Sequence, residues 1–284
     1  MSDRRITPAN GRVAARHLSG IIAADQYVDG QPKSVTAMAA FLRATPDGKP
    51  DRQVLLGEAV TLFETRNVWG FVQAQKDGYV GWTEVANLRD PITPTHRVAM
   101  RHTLAFAQPD MKSAMLFRPP FGARLAVTGT DGIWSMIQIP GQPAAWVRTD
   151  HLRPAESVEG DPVAVAKLFL GTPYLWAGNT GDGLDCSGLV QASLLACGIP
   201  CPGDSDLIEA AVGDPLPEGA TLARGDLIIW KGHVALAMDG ERIIHATSAP
   251  LEVVVENTAA AIKRIKAAGD GLPTSRKRIT RNPA

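Results

Sequence analysis

Cysteine is nearly missing from this 284-residue chain: Cys186, Cys197 and Cys201 are the only three, and none precedes residue 186. So few argue against a disulfide framework, favour reduced thiols, and confine any thiol chemistry to the C-terminal part. Net charge is also absent, since 29 Lys and Arg balance 29 Asp and Glu. That removes the electrostatic case for nucleic acid or an acidic membrane surface, and the basic tail RKRITR reads as a solvated end. No apolar run is long enough to span a bilayer. The opening MSDRRITPANGRVAARHLSGIIAADQ has no continuous apolar stretch of the kind a secretory signal needs, so a cytosolic location is the expectation. Without a close C-x-x-C or H-x-x-x-H pair, neither a metal nor another cofactor is expected.

What remains is an ordinary soluble composition, 45% apolar and 20% charged, on a chain long enough for two or three domains. Residues 8–30 carry an apolar stripe of Val13, Leu18, Ile21 and Ile22, which predicts an N-terminal helical arm over residues 1–32. Residues 35–155 contain a duplication. ATPDGKPDRQVLLGEAVTL, VWGFVQ and GWTEVANL are answered by AQPDMKSAMLFRPPFGARL, IWSMIQ and AWVRTDHL. Pro46 to Leu62 and Pro109 to Leu125 have one spacing, and Trp69 and Trp82 correspond to Trp134 and Trp146. Short alternating segments broken by Gly, Pro and Asp predict two small β-barrels, over 33–92 and 93–156. The tryptophans either fill the barrels or line a binding surface.

RPAESVEGDP marks a linker into a last domain over 157–284. There the chain reads helix, loop, helix, then the strand segments GDLIIW, HVALAMDG and RIIHATS, then VVVE, a helix and RKRIT: an α+β plan. Its centre is LDCSGLVQ. Cys186 falls in the first turn of an amphipathic helix, where unpaired N–H groups and the helix dipole lower a thiol's pKa, while Asp185 opposes a thiolate beside it. Only two histidines follow, His233 and His245. A two-residue Asp239-Gly240 loop between their strands would put them on opposite faces. A three-residue Asp239-Gly240-Glu241 loop sets His245 opposite Ala235, diagonal to His233 on the same face. A packed core pair and a catalytic pair are both open readings, and catalysis requires the second register. Cys197, at the helix end, and Cys201, in a proline-rich turn, read as inert.

The repeated W-x-x-V, DG and GWTEVANL elements resemble bacterial SH3-type domains, which are often attached to cell-wall enzymes. The series PYLWAG, LDCSGLVQ, RGDLIIW, KGHVALAMDG and RIIHATS, over roughly 160–280, resembles the NlpC/P60 family of papain-like cysteine peptidases. That resemblance implies a papain-like α+β catalytic domain behind two SH3-like barrels. It assigns Cys186 as nucleophile, His233 as base and His245 as the residue orienting it, with the Tyr174 hydroxyl near the thiolate or the oxyanion.

The combination with tandem SH3-type domains is most similar to γ-D-glutamyl-L-diamino-acid peptidases, which cleave murein peptides after D-Glu. By that resemblance Asp185 holds the ammonium of a free N-terminal L-Ala, Ser205, Ser187 and Trp176 complete the substrate pocket, and Glu58 or Tyr79 of the first barrel contributes to one side of the groove. Without an export signal, the expected role is recycling of released murein peptides, with barrels that restrict access rather than anchor the enzyme. Two other functions stay open: an acyltransferase or amidase on the same fold, and a non-catalytic murein-binding protein.

Overall fold

The computed structural model describes residues 2–217 and 219–280. The chain divides into two compact units, Met1–Ser157 and Val158–Ala284. No helix among the described residues is long and apolar enough to cross a membrane.

The first unit begins with β1 (Val13–Ala15) and β2 (Gln26–Val28), a parallel pair joined through a single 3-10 turn at Arg16–Leu18. This corrects the expected helical arm. Gly11 and Gly20 take φ of +89° and +78°, which interrupts a helix on either side of Val13. The supposed stripe also has no common face, because Val13 is buried while Ile21 is 74% exposed. The arm is instead held by Arg12, whose guanidinium meets Glu64 at 2.8 Å and lies over the Trp82 ring.

Next come β3 (Gln31–Val35), β4 (Ala39–Arg43), β5 (Pro50–Leu55), β6 (Ala59–Arg66), β7 (Trp69–Ala74), β8 (Val80–Glu84) and β9 (Leu88–Arg89). They are followed by β10 (His96–Val98), β11 (Ala105–Phe106), β12 (Met115–Phe117), β13 (Arg124–Asp131), β14 (Trp134–Gln138), β15 (Ala145–Arg148) and β16 (Leu152–Pro154). The sheet orders are β5-β4-β8-β7-β6-β3-β9 and β12-β11-β15-β14-β13-β10-β16, one topology used twice. The β6–β7 and β13–β14 hairpins each carry a register shift, a bulge that curls the sheet around its core. Val35, Leu42, Val54 and Val72 fill the first core, and Val98, Leu125, Ile137 and Val147 the second. Trp82 is 3% exposed among Val13, Phe71 and Val80, and Trp134 packs edge-on against Phe106. Gly57 (φ +77°) joins the two barrels, its Cα facing the Arg124 carbonyl closely enough that a Cβ would lie 1.8 Å from that oxygen.

The second unit opens with α1 (Pro162–Lys167), capped by Asp161, and the small ladder β17 (Asn179–Thr180) with β18 (Gly183–Leu184). After α2 (Cys186–Ala196) and α3 (Ser205–Ala211) come β19 (Asp214–Pro215), β20 (Leu227–Trp230), β21 (His233–Ala237), β22 (Arg242–Thr247) and β23 (Glu252–Asn257). α4 (Thr258–Ala268) and β24 (Ser275–Arg278) complete the unit. The antiparallel sheet runs β19-β24-β20-β21-β22-β23, so the final strand inserts beside β20. α2 packs on β21 and β22, while Ala261 and Ile265 of α4 cover Ile228, Trp230, Ala235 and Ile243. Covered in this way, the central strands read as nearly continuous apolar runs.

Candidate active site

Local chemistry builds the start of α2. Asp185 is its N-cap: Oδ1 accepts from the Gly188 N–H at 2.6 Å and from the Ser187 hydroxyl at 2.9 Å. An aspartate here satisfies orphan helix donors and complements the dipole. Its other oxygen accepts from the Ala177 N–H at 3.0 Å, so the carboxylate also ties the preceding loop to the helix. The loop is stitched further by Leu175 N–H to the Leu184 carbonyl and by Asn179 Nδ2 to Gln191 Oε1. The aspartate beside the thiol therefore has a structural reason that the sequence reading overlooked, although an Asp just before a helical run is an N-cap signal.

Cys186 occupies the first helical position and is 5% exposed. Its Sγ sits 3.9 Å from the Gly232 carbonyl, and the Val234 N–H points at it from the other side of His233. The thiol is thus seated against the backbone on both sides of the histidine that starts β21. Burial, and then the Asp185 charge, push the thiol up to about 12, against the pull of the Val234, Ser187 and Cys186 N–H groups. Burial, with His245 next, pulls His233 down to about 3. Both shifts favour uncharged side chains at rest.

The β21–β22 register places the histidines. Leu236 pairs with Ile244 and Ala237 with Ile243, the arrangement of the three-residue loop Asp239-Gly240-Glu241. Asp239 Oδ1 closes that loop by accepting from the N–H groups of Glu241 and Arg242, both at 2.9 Å. His233 and His245 consequently share a face, with His233 Nε2 2.9 Å from His245 Nδ1. Beyond them His245 Nε2 lies 2.6 Å from Glu256 Oε2, and Arg264 of α4 binds the same carboxylate. Neither Glu256 nor Arg264 was anticipated. The available signal was a charge ending the apolar run VVVE, on the face that the register gives to Ile243.

Tyr174 is anchored by its N–H to the Leu251 carbonyl at 2.7 Å and bridges to Leu184. Its hydroxyl is pushed up by burial first, and then by Cys186 and Asp185, which puts it in their electrostatic reach. Trp176, in the same loop, is 67% exposed. Ser205 is buried at the start of α3, which packs against α2 and β20. In the first barrel, Tyr79 is part of the hydrophobic core, while Glu58 is buried, accepting from the Leu55 N–H and pairing with Lys76 at 2.8 Å. Those placements account for both residues within the barrel, without a substrate.

The neutral state of His233 has a consequence for acid stability. Unfolded, its imidazole takes up a proton near the ordinary histidine value of about 6.5, whereas folded it resists protonation down to about 3. Its contribution is therefore whole above the unfolded value and is lost as pH falls from there toward the folded one, with a slope of at most about 1.4 kcal/mol per pH unit. Thermal unfolding should become less acid-sensitive in His233→Gln than in the parent; identical profiles would show that the half-buried imidazole carries no such linkage.

Residues 171–268 match the family model described as the NlpC/P60 family, and residues 42–88 match the one described as the bacterial dipeptidyl-peptidase Sh3 domain. The C-terminal unit is an NlpC/P60 cysteine-peptidase domain. In the chain it follows two barrels, the first a bacterial SH3 domain and the second a repeat of its topology. A γ-D-glutamyl-L-lysine dipeptidyl-peptidase of Bacillus cereus is 27% identical over 263 residues, covering 81% of this chain and 77% of that protein. Dipeptidyl-peptidase 6 of Lysinibacillus sphaericus is 27% identical over 248 residues, covering 78% and 90%. Among solved structures, an NlpC/P60 family protein from Bacillus cereus superposes with a TM-score of 0.73 at 22% identity, over 88% of this chain and 99% of that one. With its NlpC/P60 domain, this chain is a cysteine peptidase, a hydrolase.

Proposed function

We propose that this peptidase hydrolyses the γ-D-glutamyl–diamino acid bond of murein peptides bearing a free N-terminal L-Ala, acting on released peptides in the cytosol. The observation that carries the reading is the seat of Cys186 against the backbone flanking His233, with His233 bonded in turn to His245. The relatives named as γ-D-glutamyl-L-lysine and dipeptidyl peptidases support this substrate class. Three free cysteines suit a reducing compartment.

In the proposed chemistry His233 takes the proton from Cys186, and the thiolate attacks the γ-glutamyl carbonyl. The tetrahedral oxyanion faces the Cys186 N–H at the start of α2 and the Tyr174 hydroxyl. The imidazolium of His233 then protonates the leaving amine as the C–N bond breaks, leaving a thioester. Water, deprotonated by His233, adds to that thioester and expels the thiolate, which recovers its proton. Asp185 is the group for the alanine ammonium, since its charge sits buried beside the nucleophile. Ser187, Ser205 and Trp176 complete the pocket.

Free L-Ala-γ-D-Glu-L-Lys, its diaminopimelate counterpart, their N-acetylated forms and intact sacculi should be compared by mass analysis of products. The expected result is release of L-Ala-D-Glu from the free peptides alone, because acetylation removes the charge that Asp185 would pair with. Preferential attack on sacculi would overturn the recycling role. Transfer of the acyl group to added amines in place of water would instead favour an acyltransferase.

A further inference from the structure

The hydrogen-bonded series does not stop at the imidazoles. It continues from His245 Nε2 to Glu256 Oε2 on β23, and Arg264 of α4 reaches both oxygens of that carboxylate. From this geometry we propose that Glu256, clamped by Arg264, is a positioning residue that dictates which nitrogen of His233 is left free to accept the thiol proton. The proposal rests on the reading of Cys186 and His233 as nucleophile and base.

Donor and acceptor rules force the assignment. An ionised carboxylate only accepts, so His245 must present Nε2–H to Glu256. A neutral His245 then has a bare Nδ1, which can only accept from the His233 nitrogen 2.9 Å away. His233 therefore carries its proton on Nε2, and its lone pair is left on Nδ1. Three side chains in series remove the tautomer choice from the base. His245 is fully buried, which leaves the proton order to be settled by these partners.

The assignment requires Glu256 to remain an anion. Burial pushes its carboxyl up, but hydrogen bonds from Arg264 and then His245 outweigh that and hold it below the ordinary range. The charged groups that act on the imidazole pair are Glu256 on β23 and Arg264 on α4, while Trp230 of β20 offers its ring. Of these, Glu256 is the carboxylate bonded directly to the pair, so it favours the imidazolium that forms when His233 takes the thiol proton. Arg264 opposes that charge directly while holding Glu256 in place.

Two measurements test this without a substrate. In the parent protein, imidazole 15N shifts should report Nε2–H on both histidines; an Nδ1–H form of His233 would overturn the proposal. Glu256→Gln keeps the shape but removes the charge, and its amide can turn its NH2 toward His245 and invert both tautomers. Alkylation of the Cys186 peptide by iodoacetamide near neutral pH should slow roughly tenfold in Glu256→Gln, and recover in large part in Glu256→Asp, which keeps the anion. With a cleaved peptide as substrate, kcat should fall roughly tenfold to a hundredfold in Glu256→Gln with KM held within about twofold. Alkylation of Glu256→Gln at the parent rate, or equal slowing in both variants, would mean that Glu256 supports only the fold. A parent protein that shows the expected tautomers yet cleaves no murein peptide would remove the substrate reading and leave the tautomer lock standing.

Discussion

Cys186→Ala should abolish peptide hydrolysis while leaving the protein folded and able to hold substrate. The turnover lost is on the order of 10⁴-fold or more, because no other group can form the acyl-enzyme and the remaining site offers only orientation and oxyanion donors. Cys197 and Cys201 do not substitute, being buried at the far end of α2 and in the turn beyond it. Stability should change by less than about 1 kcal/mol, since only one small side chain is removed from a seat that already disfavours its charge. Equilibrium binding of L-Ala-γ-D-Glu-L-Lys to the variant, beside a product assay, separates the two effects. Residual turnover within about tenfold of the parent would end the assignment of Cys186 as nucleophile.

A large loss of stability is expected from Gly188→Ala. A Cβ at this position would lie 2.3 Å from the Gly178 carbonyl oxygen and 2.7 Å from Asn179 Oδ1. Both belong to the loop that carries Tyr174 and Trp176, and the Gly178 carbonyl is already committed to the Asp185 N–H. The neighbour is backbone, so it cannot swing aside as a long side chain would. Either the loop lifts from α2 or the first turn of the helix opens. The cost is about 1–3 kcal/mol for overpacking, with more if the Asp185 cap is lost as well. Turnover should fall roughly a hundredfold, because a displacement of about 1 Å at the nucleophile is enough for that. Urea unfolding and steady-state kinetics check both, and a variant with the parent's midpoint and kcat would show that the loop admits a methyl group here without cost. The glycine two positions after the cysteine in LDCSGLVQ is thus a packing requirement.

Much of the architecture was legible from local signals. The duplication could be seen because equivalent turns and tryptophans recur at fixed spacing, and the two seven-stranded sheets have one strand order. The helix at Cys186 was visible from its apolar face and from the Gly and Pro beyond its end. The N-terminal arm was misread for an equally physical reason. Four apolar residues at helical spacing also suit a strand, a 3-10 turn and a second strand, and the decisive information was the backbone angle of two glycines. Glu58 and Tyr79 illustrate a different limit: nothing local separates a tyrosine that fills a barrel from one that lines a groove.

By itself the sequence determined which chemistry this protein has to offer: a thiol at a helix start with an aspartate beside it, two histidines on successive strands and a duplicated barrel ahead of them. These follow from nearest neighbours, from turn residues and from period, which act over a few positions of the chain. Only the tertiary structure decided that His233 meets His245, that Glu256 and Arg264 stand behind them, and that the thiol is buried. Those outcomes hang on how strands pair and helices pack, where a slip of one residue turns every side chain to the opposite face. Burial, moreover, is a property of the whole assembled unit rather than of any one segment.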